Sequence, residues 1–348
     1  MKDITIQTDI TIRQSMKLLD KTAEKCLLVV DKNRKLLGTV TDGDLRRSIL
    51  AGAQFSEDIS ECYHKRPITL VEGHFKIEEA KQLLREKKLD IIPVIDDEGT
   101  LIEYLTWVSL DDVQKPARSL RNVPVVIMAG GKGARLEPFT KVLPKPLVPI
   151  QEKPIIEHII ERFTDITCSE FYLTVNYKGR ILKAYFEELQ PDYNVTFVDE
   201  NEPLGTAGSL QLLMGKFDKP FFVTNCDIIV KADCVSLYEF HQKGGYDITL
   251  VASTKEYIIP YGTCELNGDG HLSHINEKPH YDFLINTGLY VLNPDILKLI
   301  PENKFYHITH LIEEVKSRGK KVGVFPIDDD AWIDVGQWAE YKKVVTQL

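Results

Sequence analysis

At 348 residues the chain is long for one compact core and comfortable for two domains, and its 43% hydrophobic and 27% charged residues are a globular composition that argues against disorder or fibre. A formal net charge of −9 leaves no basic surplus to neutralise a nucleic-acid backbone. No apolar run approaches membrane-spanning length, Met1-Lys2-Asp3-Ile4 has no signal-peptide core, and the six cysteines contain no C-x-x-C pair, so a soluble cytoplasmic protein with reduced thiols and no nucleic-acid or membrane partner is expected.

The first third of the chain is a duplication. Val29-Val30-Asp31 matches Val94-Ile95-Asp96, and the same offset of 65 residues pairs Leu18-Leu19 with Leu83-Leu84, Ile12 with Ile77, Leu36 with Leu101, Thr41 with Thr106 and Leu45 with Leu110. Each copy reads as an amphipathic helix (Ile12, Met16 and Leu19; Ile77, Ala80 and Leu84), a buried strand, a turn, a second strand and a closing helix. Neither copy is long enough to bury a core alone, so the two are expected to pack as one module. The element order and the motif Gly38-Thr39-Val40-Thr41-Asp42-Gly43-Asp44-Leu45 resemble a tandem pair of CBS domains, with an α+β module over 1–118 and copies of about 1–60 and 61–118. The resemblance implies an adenine nucleotide or adenosyl ligand contacted by Thr41 and Asp44, and a homo-oligomer formed through the module. The second copy keeps Thr106 but has Ser109 where the aspartate is due and Glu103 in place of Gly38. A pure dimerisation scaffold, with Asp42 and Asp44 as solvated turn residues, is the alternative. The polar stretch from Asp111 to Asn122, with Pro116 and no periodicity, reads as a linker.

Residues 119–348 carry a different pattern. Val123-Pro124-Val125-Val126-Ile127 reads as a buried strand that empties into Met128-Ala129-Gly130-Gly131-Lys132-Gly133-Ala134-Arg135. Three glycines within four residues let backbone N–H groups approach an anion closely, and Arg135, Lys141 and Lys145 add cations, so the stretch predicts a triphosphate cradle. It is not a Walker loop, because Gly131-Lys132 is followed by Gly133, and the dinucleotide fingerprint fails at Leu136. Downstream, Pro154 opens a helix with a stripe of Ile155, Ile156, Ile159, Ile160 and Phe163; strands over 171–175, 195–198 and 221–224 alternate with helices over 180–189 and 207–214. Such alternation calls for a mostly parallel sheet with ligands beyond the carboxyl ends of its strands.

The extended motif G-G-x-G-x-R-L-x-P-x-T, continued by Pro144-Lys145-Pro146-Leu147-Val148-Pro149, resembles the sugar-1-phosphate nucleotidyltransferases (NDP-sugar pyrophosphorylases). The likeness extends over roughly Val123 to Leu348 and implies a Rossmann-like, GT-A-like α/β domain. Ala134 departs from the threonine common there. By this resemblance Ala129, Gly130, Gly131 and Gly133 hold the nucleotide's phosphates, and Gly205, Thr206 and Gly208 its base. Arg135, Lys145 and Asp227 are the implied catalytic residues, and Asp227 and Asp334 the implied ligands of Mg²⁺. Tyr261, Gly262, Glu277, Lys278, Asn286 and Thr287 are implied to hold the sugar phosphate. Alone, either aspartate reads as a helix cap and the Glu277-Lys278 pair as surface charge.

The expected reaction is NTP plus sugar 1-phosphate giving NDP-sugar and pyrophosphate. The phosphate nucleophile is already anionic, so no Ser, Cys or His nucleophile is required. The fused CBS pair and the P-K-P-L-x-P-I form resemble guanylyltransferases acting on glucosamine 1-phosphate in legionaminic acid synthesis. Mannose- or heptose-1-phosphate guanylyltransferases, uridylyl or thymidylyl transferases, a molybdopterin-type nucleotidyltransferase and a non-catalytic nucleotide sensor are the alternatives.

Overall fold

The computed structural model describes residues 3–22, 24–87, 89–106, 119–338 and 340–342. The chain divides into two compact units, Met1–Ala117 with Thr254–Leu284, and Arg118–Ser253 with Ile285–Leu348. Among the described residues no helix is long and apolar enough to cross a membrane.

The duplication read from the sequence is a duplication of structure. In the first copy the helix Ile12–Thr22 is followed by antiparallel strands Cys26–Val30 and Leu36–Thr41 and the helix Asp42–Leu50. In the second, helix Ile77–Lys87 precedes antiparallel strands Ile91–Ile95 and Leu101–Thr106. The registers repeat with the sequence offset: Val29 faces Gly38 as Val94 faces Glu103, and both ladders bulge at the next residue. Ile12, Met16 and Leu19 are buried as their spacing predicts. In the second copy Ala80 and Leu84 are buried, but Ile77 is 55% exposed. It is the first residue of its helix and does not join the cluster formed by Ala80, Leu84, Ile92, Val94 and Leu105. Ser109, the closing helix of the second copy and residues 111–118 of the expected linker lie outside the described residues. Leu120, near the linker's end, is buried; its N–H donates to the Ile166 carbonyl over 2.9 Å.

The second unit is built on the expected mostly parallel sheet. Its seven strands lie in the order Asn194–Asp199, Glu170–Val175, Val125–Met128, Phe221–Asn225, His280–Leu292, Ile248–Ile258 and Val322–Ile327. The first four are mutually parallel, and His280–Leu292 runs antiparallel to Phe221–Asn225. Alternation along the strands feeds two cores. Val125 and Ile127 point into one with the stripe of helix Ile155–Thr164, while Val126 and Met128 point into the other with Leu311, Ile312 and Val315 of helix Ile308–Ser317. Burial on both faces explains why these strands read as continuous apolar runs. The expected helix over 207–214 is instead one α-turn, Gly205–Gly208, followed by a 3₁₀ stretch, Ser209–Leu213.

Candidate active site

The glycine loop leaves the carboxyl end of the central strand Val125–Met128, beside the end of Phe221–Asn225. Ala129 is buried and donates its N–H to the Thr174 carbonyl over 2.9 Å, which fixes the loop's root in the sheet. Gly131 has open space where a side chain would stand. Gly133 adopts φ +69°, and a Cβ there would lie 3.0 Å from Lys145 Cβ and from Thr140 Cγ2. The Thr140 hydroxyl donates to the Gly133 carbonyl over 3.0 Å. The loop is therefore closed against the Lys145 stem by a conformation that favours glycine.

Below the loop, four expected residues converge. Lys145 is buried and pairs through its Nζ with Asp227 Oδ2. The Arg135 guanidinium is 64% exposed and stands 3.8 Å from the same oxygen. Asp227 and Asp334, far apart in sequence, are joined by a short antiparallel ladder in which Ile228 faces Asp334. The Val335 N–H donates to the Asp227 carbonyl over 3.0 Å. Asp334 accepts from Gly336 N at 2.9 Å and from Gln337 Nε2 at 3.3 Å. Gly336 closes this corner: a Cβ there would collide with Asp227 Oδ2 and stand 2.9 Å from Asp334 Oδ1 and 3.0 Å from Lys145 Nζ. Among the described residues no group of three or more Asp, Glu, His and Cys side chains gathers at one point. Two carboxylates beside a phosphate cradle suit a hard cation that takes its remaining ligands from phosphate and water.

The expected base loop is clamped from behind. Ala207 and Gly208 donate their N–H groups to the Tyr306 carbonyl at 2.9 and 3.1 Å, and the Thr206 hydroxyl accepts from Ile308 N at 3.0 Å. A Cβ on Gly205 would stand 2.8 Å from the Tyr306 carbonyl oxygen, and one on Gly208 2.6 Å from that of Lys304. These glycines thus admit segment 304–306, and the Thr206 hydroxyl caps the helix that begins at Ile308.

Glu200, which the sequence reading passes over, lies against the glycine loop. It follows strand Asn194–Asp199, is buried, and would have its carboxylate 2.6 Å from a Cβ on Gly130. Its Oε2 accepts from Leu204 N at 3.1 Å, and burial, partly offset by that bond, pushes its carboxyl above the ordinary range. The sequence shows only a carboxylate just past the end of a strand; its place two strands from the glycine loop comes from the sheet order.

Of the expected sugar residues, Asn286 donates to the Tyr290 hydroxyl at 2.9 Å and accepts from Gly288 N at 3.1 Å. The buried Thr287 hydroxyl donates to the Val251 carbonyl at 2.9 Å. Tyr261, Gly262, Glu277 and Lys278 lie on Thr254–Leu284, which groups with the first unit. There the hairpin Thr263–Leu266 with Leu272–Asn276 sets Glu277 over Gly262, with Oε2 2.9 Å from where a Cβ would stand, while Tyr261 and Lys278 are exposed. In the first unit, Thr41 and Asp44 form the capping box of helix Asp42–Leu50. Thr41 N donates to Asp44 Oδ2 at 2.8 Å, the Thr41 hydroxyl accepts from Asp44 N at 3.2 Å, and Asp44 also pairs with Arg47.

Comparison with known proteins identifies the family. The nucleotidyl transferase family model matches residues 124–348, and the CBS domain model matches 1–51 and 58–113. Mannose-1-phosphate guanyltransferases of Pichia angusta and Aspergillus fumigatus are each 37% identical to the chain over 222 and 223 residues, 61% of this chain and 60% of each relative. The match thus spans about three-fifths of these relatives' length. The crystal structure of HddC from Yersinia pseudotuberculosis superposes with a TM-score of 0.51 at 27% identity, covering 65% of this chain and 99% of that one. A putative glucose-1-phosphate thymidylyltransferase from Bacillus anthracis, 19% identical with a TM-score of 0.50 over 64% of this chain and 94% of its own, shares the fold. The glycine loop, the paired aspartates and the family match over residues 124–348 place the chain in the nucleotidyl transferase family, with a pair of CBS domains ahead of the transferase domain.

Proposed function

We propose that the chain transfers a nucleotidyl group from GTP to a sugar 1-phosphate, forming an NDP-sugar and releasing pyrophosphate. The observation that carries this reading is the convergence of Arg135, Lys145, Asp227 and Asp334 beneath a glycine loop at the carboxyl ends of a parallel sheet. The loop amides and Arg135 would hold the β- and γ-phosphates, and Lys145 would bridge the α-phosphate and the incoming sugar phosphate. Alignment of an anionic nucleophile with the α-phosphorus is worth about 7–11 kcal/mol of barrier lowering and needs no covalent enzyme intermediate. Asp227 and Asp334 would hold Mg²⁺, which supplies charge neutralisation for the departing pyrophosphate.

Two observations support guanine: the similarity to mannose-1-phosphate guanyltransferases and the placement of Glu200. A carboxylate is acceptor-only, which suits the N–H donors on the amino edge of guanine. Glu200→Gln is expected to lower kcat/KM for GTP by about 10- to 100-fold, the scale of one hydrogen bond to a charged group, with kcat less affected. Pyrophosphate release measured with each of four NTPs checks this; unchanged preference for GTP, or a wild-type preference for UTP or dTTP, contradicts it.

Mannose 1-phosphate is the first acceptor supported by the relatives, and glucosamine 1-phosphate stands beside it on the strength of the fused CBS pair and the P-K-P-L-x-P-I loop. A panel of sugar 1-phosphates separates them. We further propose a cytoplasmic setting, supported by free cysteines throughout. For the CBS pair we propose control by an adenine nucleotide or adenosyl compound within a homo-oligomer. Binding there would draw Thr41 and Asp44 out of their capping box. Melting temperature and rate both unaffected by AMP, ADP, ATP and S-adenosylmethionine would leave the module as a scaffold.

A further inference from the structure

Asp227 is an 8%-exposed carboxylate whose Oδ2 is approached from three sides. Lys145 Nζ pairs with it, Arg135 stands 3.8 Å away, and the Gly336 backbone closes the third side so tightly that a Cβ would strike the same oxygen. Lys145 Nζ is itself within 3.0 Å of that Cβ position, alongside Asp334 Oδ1 at 2.9 Å. The ammonium group therefore sits on Asp227, on the side bordered by Gly336 and Asp334 where the proposed metal would enter. A divalent ion and an ammonium cannot share it without strong like-charge repulsion.

We propose that Lys145 is the built-in competitor of the metal for Asp227, so that triphosphate binding switches the metal site on by drawing the lysine away. This rests on the metal assignment made above and deepens it. The chain supplies the means. Lys145 sits on the 3₁₀ turn Lys145–Leu147, whose backbone is fixed, but its four-carbon stem lies against the glycine loop at Gly133. Rotation about that stem carries Nζ from the carboxylate to a phosphate in the cradle with no backbone movement. Asp227 would then be open to hold the metal, with Arg135 still beside it, so the buried carboxylate would not be left uncompensated. Coupling between triphosphate and metal is reciprocal: metal strengthens nucleotide binding by the factor by which nucleotide strengthens metal binding. It exceeds what direct metal–phosphate contact alone provides. Lys145 is thus a positioning residue for the metal as well as a phosphate ligand.

Mn²⁺ binding to the full chain without nucleotide, followed by the electron paramagnetic resonance signal of the free ion, tests this independently of turnover. Lys145→Met keeps the stem and removes the charge; it is expected to bind Mn²⁺ at least about tenfold more tightly than wild type, as removal of one adjacent like charge allows. Lys145→Arg, which keeps the charge, is expected to stay as weak as wild type. Adding Asp227→Asn to Lys145→Met is expected to abolish the gain. Equal Mn²⁺ affinity in Lys145→Met and wild type, with Asp227→Asn still weakening Mn²⁺ binding in the presence of GTP, overturns the competition and leaves the metal assignment standing. Mn²⁺ binding indifferent to Asp227→Asn with and without GTP overturns both. Circular dichroism of each variant separates these outcomes from misfolding.

Discussion

Asp227→Asn is expected to lower nucleotidyl transfer by about 10³-fold or more while the fold survives. The carboxylate is delivered by the strand Phe221–Asn225 to a buried position that meets Lys145 and Arg135 beside Asp334. Asparagine has the same shape and can still accept from Lys145, and the backbone bond from Val335 N to the residue-227 carbonyl does not depend on the side chain. What disappears is the negative charge that the proposed metal needs. Retained far-ultraviolet circular dichroism and melting temperature with lost pyrophosphate release is the expected pattern. Full activity in the folded variant contradicts the assignment.

Gly336→Ala is expected to cost about 100-fold in kcat with a stability loss of no more than about 1 kcal/mol. The three atoms nearest its Cβ would be Asp227 Oδ2, Asp334 Oδ1 and Lys145 Nζ, all side-chain ends rather than backbone. The fold tolerates a shift of such ends, but a reaction that depends on positioning does not, because displacement of about 1 Å at a site of this kind is worth about two orders of magnitude. Thermal unfolding alongside kcat distinguishes this from a packing defect. Parallel losses in stability and activity would make Gly336 a structural glycine only.

Residues whose physics is local were legible in the sequence. The 65-residue offset became a shared strand register down to the bulge, because in each copy a short turn between two strands sets which residues face one another. The glycine loop, the buried stripe of helix Ile155–Thr164 and the parallel strands followed from glycine spacing and apolar periodicity. Long-range partners were not legible. Gly205 and Gly208 look like a loop built for a flat ligand, yet their bare backbones admit the carbonyls of Tyr306 and Lys304, about a hundred residues on. The expected helix over 207–214 is one α-turn continued by a 3₁₀ stretch, and the orphan first-turn amides of Ala207 and Gly208 find their acceptor in Tyr306. Glu200 has an ordinary acidic surface context in sequence, and only the sheet order buries it beside Gly130. Asp227 and Asp334 could be paired in advance only by family resemblance, because the three-residue ladder that joins them carries no periodic signal of its own.

The most direct test follows the label in GTP through one turnover. With [α-³²P]GTP, Mg²⁺ and a panel of sugar 1-phosphates, label is expected in an NDP-sugar only when both substrates are present, with label from [γ-³²P]GTP leaving as pyrophosphate. Label recovered as GMP, or as inorganic phosphate without any sugar nucleotide, or no turnover of any NTP with any sugar 1-phosphate, would contradict it.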